Sequence, residues 1–180
     1  LPPDLRNNIE NLFSAHGIRR FPDVWLVEGF NQPFVWGFLR GSIYLPVNFL
    51  NINRPEHQRN VLGHELSHVL RFDAAVNILQ VIAQAIFWFH PLIWWANRRI
   101  RAEREKCCDE MAIARLNARP KDYGSAIVET LAAQCHSTRP ISSLAIVGPA
   151  ANVAERIRTM LTPGRKFYTR QTAIVAIRTE

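Results

Sequence analysis

The feature that most constrains this chain is the stretch from Ala74 to Asn97, which contains no Asp, Glu, Lys or Arg. It approaches the length that a helix needs to cross a bilayer. Arginines at positions 98, 99, 101 and 104 follow it, as on the cytosolic side of a spanning segment. However, polar residues and the pair His90-Pro91 interrupt the stretch, and proline most readily opens a new helix. The pattern indicates either a membrane span or a helical hairpin that turns at Pro91.

Two histidines just before this stretch form a pattern with a specific chemistry. His64 and His68, in the order His-Glu-Leu-Ser-His, are four residues apart, which is about 400° around a helix. Both rings therefore project from one face. Zinc accepts nitrogen and carboxylate ligands, and a catalytic site uses three protein ligands and leaves one position for water. The pattern predicts a catalytic zinc ion, with Glu65 as the general base.

The third ligand is expected on a later helix. Glu105 and Asp109 are also four residues apart and share a helical face. We predict Glu105 as the ligand and Asp109 as the acceptor for the histidine nitrogen that does not bind metal. Competing interpretations are a solvated Glu105 paired with an arginine at position 101 or 104, and Glu103 or Glu110 as the ligand. A straight membrane span would separate Glu105 from the histidines, so a hairpin is favoured, either buried or dipping into the membrane surface.

The remaining patterns predict a mainly helical α+β domain with a small, mostly antiparallel sheet. Cap residues and periodicity place helices at about 3–16, 54–72, 91–116, 122–134 and 152–161, and β-prone runs place strands at 24–27, 34–38 and 42–45. Asn53 and Glu56 match a capping box at the start of the histidine helix. The length favours a single domain over residues 1–180. We expect this domain to be excised from a larger protein, since no initiator methionine or signal peptide is visible.

Charge and cysteine usage limit the partners and the compartment. The formal charge of +7 and a pI near 10.0 are compatible with an anionic partner, either nucleic acid or the inner face of a membrane. No nucleic-acid reading motif accompanies the arginines, so nucleic acid is not expected. There are three cysteines, and Cys107 is adjacent to Cys108, which favours free thiols in a reducing compartment.

Five motifs resemble a known family. The chain from about residue 33 to 116 is similar to the bacterial β-lactam-sensor metallopeptidases of the BlaR/MecR type, zinc peptidases of the gluzincin class. The motifs are PFVWGF (33–38), IYLP (43–46), GHELSH (63–68), FWFHPLIWW (87–95) and REKCCDE (104–110).

This resemblance implies a larger protein of the cell membrane. In the family the zinc domain lies among transmembrane helices, faces the cytosol and cleaves protein substrates in regulated proteolysis that relieves a transcriptional repressor. Membrane association through residues 74–97, or through transmembrane helices outside this sequence, is the corresponding expectation. Antibiotic sensing is not carried over, because the resemblance covers only the zinc domain.

Two further aspects of the site stay open at this level. Trp36, Gly37 and Phe38 could form a sheet edge that pairs with an extended substrate, or an ordinary hairpin whose aromatic rings fill the core. Candidate donors to the oxyanion are Tyr123, His136 and Arg156. A structural role is the stronger interpretation of each: helix packing for the tyrosine, a loop position for the histidine and a helix-surface charge for the arginine.

A different class of function is also compatible with a zinc fold. The domain could be a non-catalytic zinc-binding signalling module that acts by binding a partner. The presence of Glu65 argues against this alternative, because a pure binding site does not need a general base.

Overall fold

A computed structural model describes residues 2–15, 21–37, 41–52, 54–135 and 149–168. These residues form six α-helices and a three-stranded sheet, which confirms the predicted α+β class. In chain order the elements are α1 (Pro3–Ala15), β1 (Val24–Val27), β2 (Phe34–Trp36), β3 (Ser42–Pro46), a 3-10 helix (Val47–Asn51), α2 (Pro55–Leu70), α3 (Asp73–Ile86), α4 (Pro91–Leu116), α5 (Pro120–Cys135) and α6 (Pro149–Met160).

The sheet has the strand order β1-β3-β2 and is mixed. Strand β2 pairs antiparallel with β3, with Val35 opposite Ile43, as predicted. Strand β1 pairs parallel with β3, with Trp25 opposite Tyr44, so the expected mostly antiparallel sheet holds for only one of its two pairs. The reason is that β3 inserts between the other two strands instead of following a simple meander. This order leaves β2 at an edge of the sheet.

Helix α2 is the central element of the fold. It contacts β2, β3, α3, α4 and α5, and nearly all of its residues from His57 to Ser67 are buried. Pro55 occupies its first turn, and Arg54 is the N-cap. Asn53 of the predicted capping box lies outside the described residues. Apolar side chains of α1, β3 and α2, including Phe13, pack into one core cluster. The histidine motif therefore lies on a buried helix.

A glycine sets the close approach of α2 and α4. A β-carbon on Gly63 would lie 2.6 Å from Cδ1 of Leu116, which is buried in the same core cluster. Glycine at this position lets the two helices pack at short range. Because Gly63 immediately precedes His64, this contact brings α4 to the helix that carries the histidines.

Helices α3 and α4 form the predicted hairpin. Helix α3 ends at Ile86, and Pro91 opens α4 after a short turn. Between the two arms, the amide of Gln80 donates to the carbonyl of Asn97 at 3.3 Å, and the amide of Asn97 donates to the carbonyl of Gln80 at 3.1 Å. These bonds satisfy buried polar groups of the uncharged stretch. We call residues 73–100 the hairpin.

In the described parts of the chain no single helix is long and apolar enough to span a membrane. The pair α2 and α3, which is bent by 61°, reaches that length and apolar character only when the two helices are taken together.

Candidate metal centre

Three side chains from two helices meet at one point. Nε2 of His64 and Nε2 of His68, both on α2, are 3.3 Å apart. Oε2 of Glu105, on α4, lies 3.4 Å from the first nitrogen and 3.8 Å from the second. The structure thus brings together the three ligands that the sequence predicted, although no sequence rule fixes the separation of α2 and α4.

The spacing of these atoms fits a tetrahedral metal ion. With zinc–ligand bonds of 2.0–2.1 Å, two ligand atoms at a tetrahedral angle lie about 3.3–3.4 Å apart. Two of the three observed separations have this value, and the third is 3.8 Å. Two imidazoles and one carboxylate are also a donor set that zinc prefers. The residues therefore fit a catalytic zinc ion that keeps an open coordination position.

A carboxylate and a phenol fix the orientation of His64. Its Nδ1 lies 3.2 Å from Oδ1 of Asp109 and 2.9 Å from the hydroxyl of Tyr123. The Tyr123 hydroxyl in turn donates to Oδ1 of Asp109 at 3.0 Å. Since a carboxylate only accepts, this arrangement places a proton on Nδ1 and directs Nε2 toward the metal position. Asp109 thus lies where the sequence predicted it.

Asp109 itself is held by a buried arginine. Nε and NH2 of Arg156, on α6, each donate to the carboxylate of Asp109 at 2.7 Å. Arg156 is only 7% exposed, so the prediction of a helix-surface charge is wrong. The pKa of Asp109 is lowered, because the hydrogen bonds from Arg156 and His64 outweigh the effect of burial. A planar guanidinium suits this two-point contact with a carboxylate.

A second carboxylate holds the other histidine. Nδ1 of His68 lies 2.8 Å from Oδ2 of Asp73, the first residue of α3, so here too the proton is on Nδ1. Between the helices, Phe72 has a φ of 57°, in the left-handed region, and the chain bends there by 61°. On a continued helix Asp73 would lie well away from the side of His68. The bend brings it back against the ring.

A buried thiol completes the surroundings of His68. Sγ of Cys108 donates to Oδ2 of Asp73 at 3.2 Å and lies 3.3 Å from Nδ1 of the histidine. Burial and the neighbouring Asp73 raise the pKa of Cys108 well above its usual value. In the metal-free protein the thiol is therefore protonated and acts as a hydrogen-bond donor. His68, Asp73 and Cys108 also form a second group whose ligand atoms lie within 4.8 Å of one another and could hold a metal ion.

The charges at the site are strongly coupled. Burial alone would lower the pKa of His64, but its hydrogen bonds to Asp109 and Glu105 raise that pKa to about 10. Burial alone would raise the pKa of Glu105, but its contact with His64 lowers that pKa well below the usual range. In metal-free protein these two groups form an ion pair. A metal ion therefore has to displace a proton from His64.

Glu65 lines the same cleft as the ligands and is buried. Burial raises its pKa, and the two histidines oppose that rise. A carboxylate with a raised pKa is a stronger base than an ordinary carboxylate, which suits a general base. Its position and its electrostatics are thus compatible with the role that the motif predicts.

The cleft beside the metal site has a volume of about 580 Å³. One wall is formed by β2 and the segment around it, including Trp36 and Gly37, and another by α3, including Asn77 and Ile78. Trp36 is 64% exposed and does not fill the core. Gly37 has a φ of 129°, which favours glycine. Phe38 lies outside the described residues.

The chain matches a known family of peptidases. The profile of the family described as "BlaR1 peptidase M56" matches residues 2–160. The chain belongs to the M56 peptidase family. This confirms the resemblance to peptidases of the BlaR/MecR type and agrees with a metal-dependent peptidase domain.

Curated relatives of this M56 domain are distant and much longer. The methicillin resistance mecR1 protein of Staphylococcus aureus is 26% identical over 129 residues, which are 71% of this chain and 22% of the relative. The regulatory protein BlaR1 of Bacillus licheniformis is 24% identical over 131 residues, or 72% and 22%. The M56 domain thus spans about a fifth of the length of these relatives. No solved structure gives a significant match.

Glu103 and Glu110, the competing candidates for the third ligand, pair with cationic side chains instead. Glu103 pairs with Arg99 and Lys106, and Glu110 pairs with Arg165. Nε of Arg104 lies 3.8 Å from Oε1 of Glu105, while Oε2 of Glu105 faces the two histidines. Glu105 can therefore pair with Arg104 and still offer one oxygen to a metal ion. His136 lies outside the described residues.

Sequence reasoning missed the parts of this centre that depend on tertiary packing. The sequence does not predict Asp73 as a site residue, and no local pattern encodes the contacts of Arg156 and Tyr123 with Asp109 or that of Cys108 with Asp73. An acidic residue directly after the end of the histidine helix is the one local signal that could have pointed to Asp73. Helices α5 and α6 approach the centre from distant parts of the chain, and no spacing rule relates them to His64.

Proposed function

We propose that the chain is a zinc-dependent endopeptidase domain. The observation that carries this proposal is the triangle formed by His64, His68 and Glu105, with each imidazole held by its own carboxylate. Binding sites without catalysis do not need a buried carboxyl such as Glu65 beside the ligands. Zinc is the proposed ion because the two nitrogens and one carboxylate oxygen match its preferences.

When bound, zinc would act as a Lewis acid that lowers the pKa of a water molecule and polarises a peptide carbonyl. Glu65 removes a proton from the attacking water and later delivers it to the leaving amine. Asp109 and Asp73 hold the two imidazoles in the tautomer that exposes Nε2. Arg156 keeps Asp109 ionised and also lies within 3.6 Å of Glu105. In this proposal Glu65 transfers protons, while the two aspartates and Arg156 support the metal ligands.

We propose that the peptide substrate binds along the edge of the sheet formed by β2. Strand β2 has a free edge among the described strands and lines the cleft, so an extended peptide can add to it by main-chain hydrogen bonds. Trp36 and Gly37 form the described part of this proposed contact surface, and Phe38, which lies outside the described residues, follows them in the sequence. Replacing Gly37 with valine should raise KM for a peptide about tenfold or more by blocking close approach and straining the backbone. Unchanged kinetics would exclude the edge-strand assignment.

The biological setting is proposed as regulated proteolysis at the cytosolic face of a membrane, for example of a transcriptional repressor. Many apolar side chains of the hairpin are exposed, including Trp88 at 70% and Phe89 at 65%. Exposed arginines at positions 98, 99 and 101 follow in the next turn of α4. A patch of this kind next to cationic side chains suits the interface of an anionic membrane. Flotation with vesicles of phosphatidylglycerol and phosphatidylcholine tests this association.

The decisive experiment compares the native chain with Glu65→Gln. Zinc content and cleavage of a peptide library are measured on the same preparations. The proposal predicts one zinc per chain in both proteins and a loss of cleavage of about 10²–10⁴-fold in the variant. Full activity in Glu65→Gln would remove the general base. Zinc binding without cleavage in the native chain would favour the non-catalytic signalling module.

A further inference from the structure

The zinc cleft and the exposed apolar hairpin share one helix. Ala74, Asn77 and Ile78 of α3 line the cleft together with the metal-binding residues. The same α3 presents Leu79, Ile82 and Ile86 as exposed apolar side chains. The helix that forms a wall of the active-site cleft is therefore also an arm of the proposed membrane-binding surface.

The cleft-facing side of α3 continues beyond the cleft toward the tip of the hairpin. Residues spaced by three or four positions lie on one helical face, so Ala74 and Ile78 are followed on that face by Val81 and Ala85. Val81 is 57% exposed. An apolar strip thus connects the zinc cleft with the aromatic turn at 87–89. A substrate segment that emerges from the bilayer can follow this strip to the metal.

The length of α3 limits how far the metal lies from the membrane. The helix has 14 residues, which corresponds to about 21 Å. Its first residue, Asp73, touches His68. Apolar groups of interfacial elements enter the headgroup and acyl boundary to a depth of about 5–10 Å. With α3 perpendicular to the membrane and its tip at that depth, the metal site lies about 11–16 Å from the boundary, and a tilt of α3 brings it closer. About five extended residues cover this distance.

We infer that the substrate of this peptidase is a juxtamembrane segment of a protein anchored in the same membrane, cleaved within about five residues of the bilayer. The inference rests on the proposed function and narrows its substrate class to membrane-anchored proteins, so a repressor, the example given there, would be a substrate only if it were anchored in the membrane. The exposed arginines at positions 98, 99 and 101 hold the domain against anionic headgroups, and the exposed aromatic residues fix the depth.

The test uses the chain on phosphatidylglycerol and phosphatidylcholine vesicles with three substrates that share one cleavable sequence, selected from the peptide library. One substrate is soluble, one carries the sequence about five residues from a transmembrane helix, and one carries it after about thirty flexible residues. We expect cleavage of the near-anchored substrate about tenfold or more faster than that of the soluble peptide, and at least as fast as that of the far-anchored one.

Two variants sharpen this test. The triple variant Trp88→Ser, Phe89→Ser and Trp95→Ser should lose the preference for anchored substrates and retain cleavage of the soluble peptide. Trp25→Ser, an exposed tryptophan on β1, is the matched control and should retain both. Retained soluble cleavage also shows that a variant is folded.

The possible failures are distinguishable. Cleavage of the soluble and far-anchored substrates with resistance of the near-anchored one would place the cleft away from the bilayer and overturn the inference, while the proposed function stands. Equal cleavage of all three by the native chain and the triple variant would also overturn it. If the native chain cleaves none of them beyond the Glu65→Gln background, the proposed function itself fails.

Discussion

The two halves of α4 lie in opposite environments. Its second half carries Glu105 and the almost fully buried Asp109, which form ion pairs and hydrogen bonds with α2 and α6. Its first half exposes Leu92 and Trp95. In a water-soluble surface helix charges face outward and apolar groups inward. The proposed metal site at one end of α4 and the proposed membrane contact at the other account for this inversion within one helix.

The largest expected effect concerns the buried end. Arg156→Leu leaves the carboxylate of Asp109 buried without its guanidinium, so the free energy of unfolding should fall by about 3–5 kcal/mol. Arg158→Leu, an exposed position on the same helix, is the control and should change that free energy by less than about 0.5 kcal/mol. Chemical denaturation measures both. Similar small changes in the two variants would show that the pair is not important for stability.

A pH titration tests the buried end of α4, which carries Glu105 and Asp109, without mutation. In protein from which a chelator has removed the metal, hydrogen bonds to Asp109 and Glu105 raise the pKa of His64 to about 10, above the unfolded value of 6.5. Its contribution to stability is therefore fully present below pH 6.5 and is lost as the pH rises toward 10. We expect the melting temperature of metal-free protein to fall between pH 7 and pH 8.5, and zinc to abolish this fall. A flat profile in metal-free protein would contradict the coupling of His64 with Asp109 and Glu105.

A smaller effect separates the two carboxylates that orient the histidines. Asp109→Asn and Asp73→Asn should each weaken zinc binding by about 10–100-fold, because an amide replaces the ionised carboxylate that only accepts and so fixes the tautomer of the imidazole. Competition with a chromogenic chelator measures the affinity directly. Asp122→Asn, at the surface of α5, is the matched control and should bind zinc as the native chain does. If Asp73→Asn also retained native affinity, Asp73 would have no role in positioning His68.

The smallest expected effect on stability concerns the exposed end. Trp88→Ser should change the free energy of unfolding in solution by less than about 0.5 kcal/mol, because the ring packs against little of the protein. The same change should reduce binding to anionic vesicles. Loss of folding in this variant would mean that the tip of the hairpin is covered within the protein, and the contrast between the two ends of α4 would disappear.

Much of this architecture could be predicted from local patterns. The proline at position 91 and the uncharged stretch predicted the hairpin, and the four-residue spacings predicted which groups share a face. Helix α4 begins and ends at the predicted residues, Pro91 and Leu116. The parallel pairing of β1 with β3 was not foreseen, because strand order depends on long-range contacts that a short β-prone run does not encode.

In the metal centre too, local patterns predict some residues and tertiary packing determines others. His64, His68 and Glu105 follow from ligand chemistry and helical spacing. Asp73 reaches its histidine only because the chain bends at Phe72, and Arg156 reaches Asp109 only because α6 packs against α4. A helical wheel places Asp73 on a different face from His68, and it places Arg156 at the surface of its helix. Tertiary packing decides both.

The most direct measurement is the zinc stoichiometry and affinity of the native chain beside Glu105→Ala and Glu103→Ala. Both carboxylates lie on α4, but only Glu105 contacts the histidines. The structure predicts one tightly bound zinc in the native chain and in Glu103→Ala, and a loss of binding in Glu105→Ala. Undiminished zinc binding by Glu105→Ala, or loss of binding by Glu103→Ala, would contradict the convergence of α2 and α4 on one metal ion.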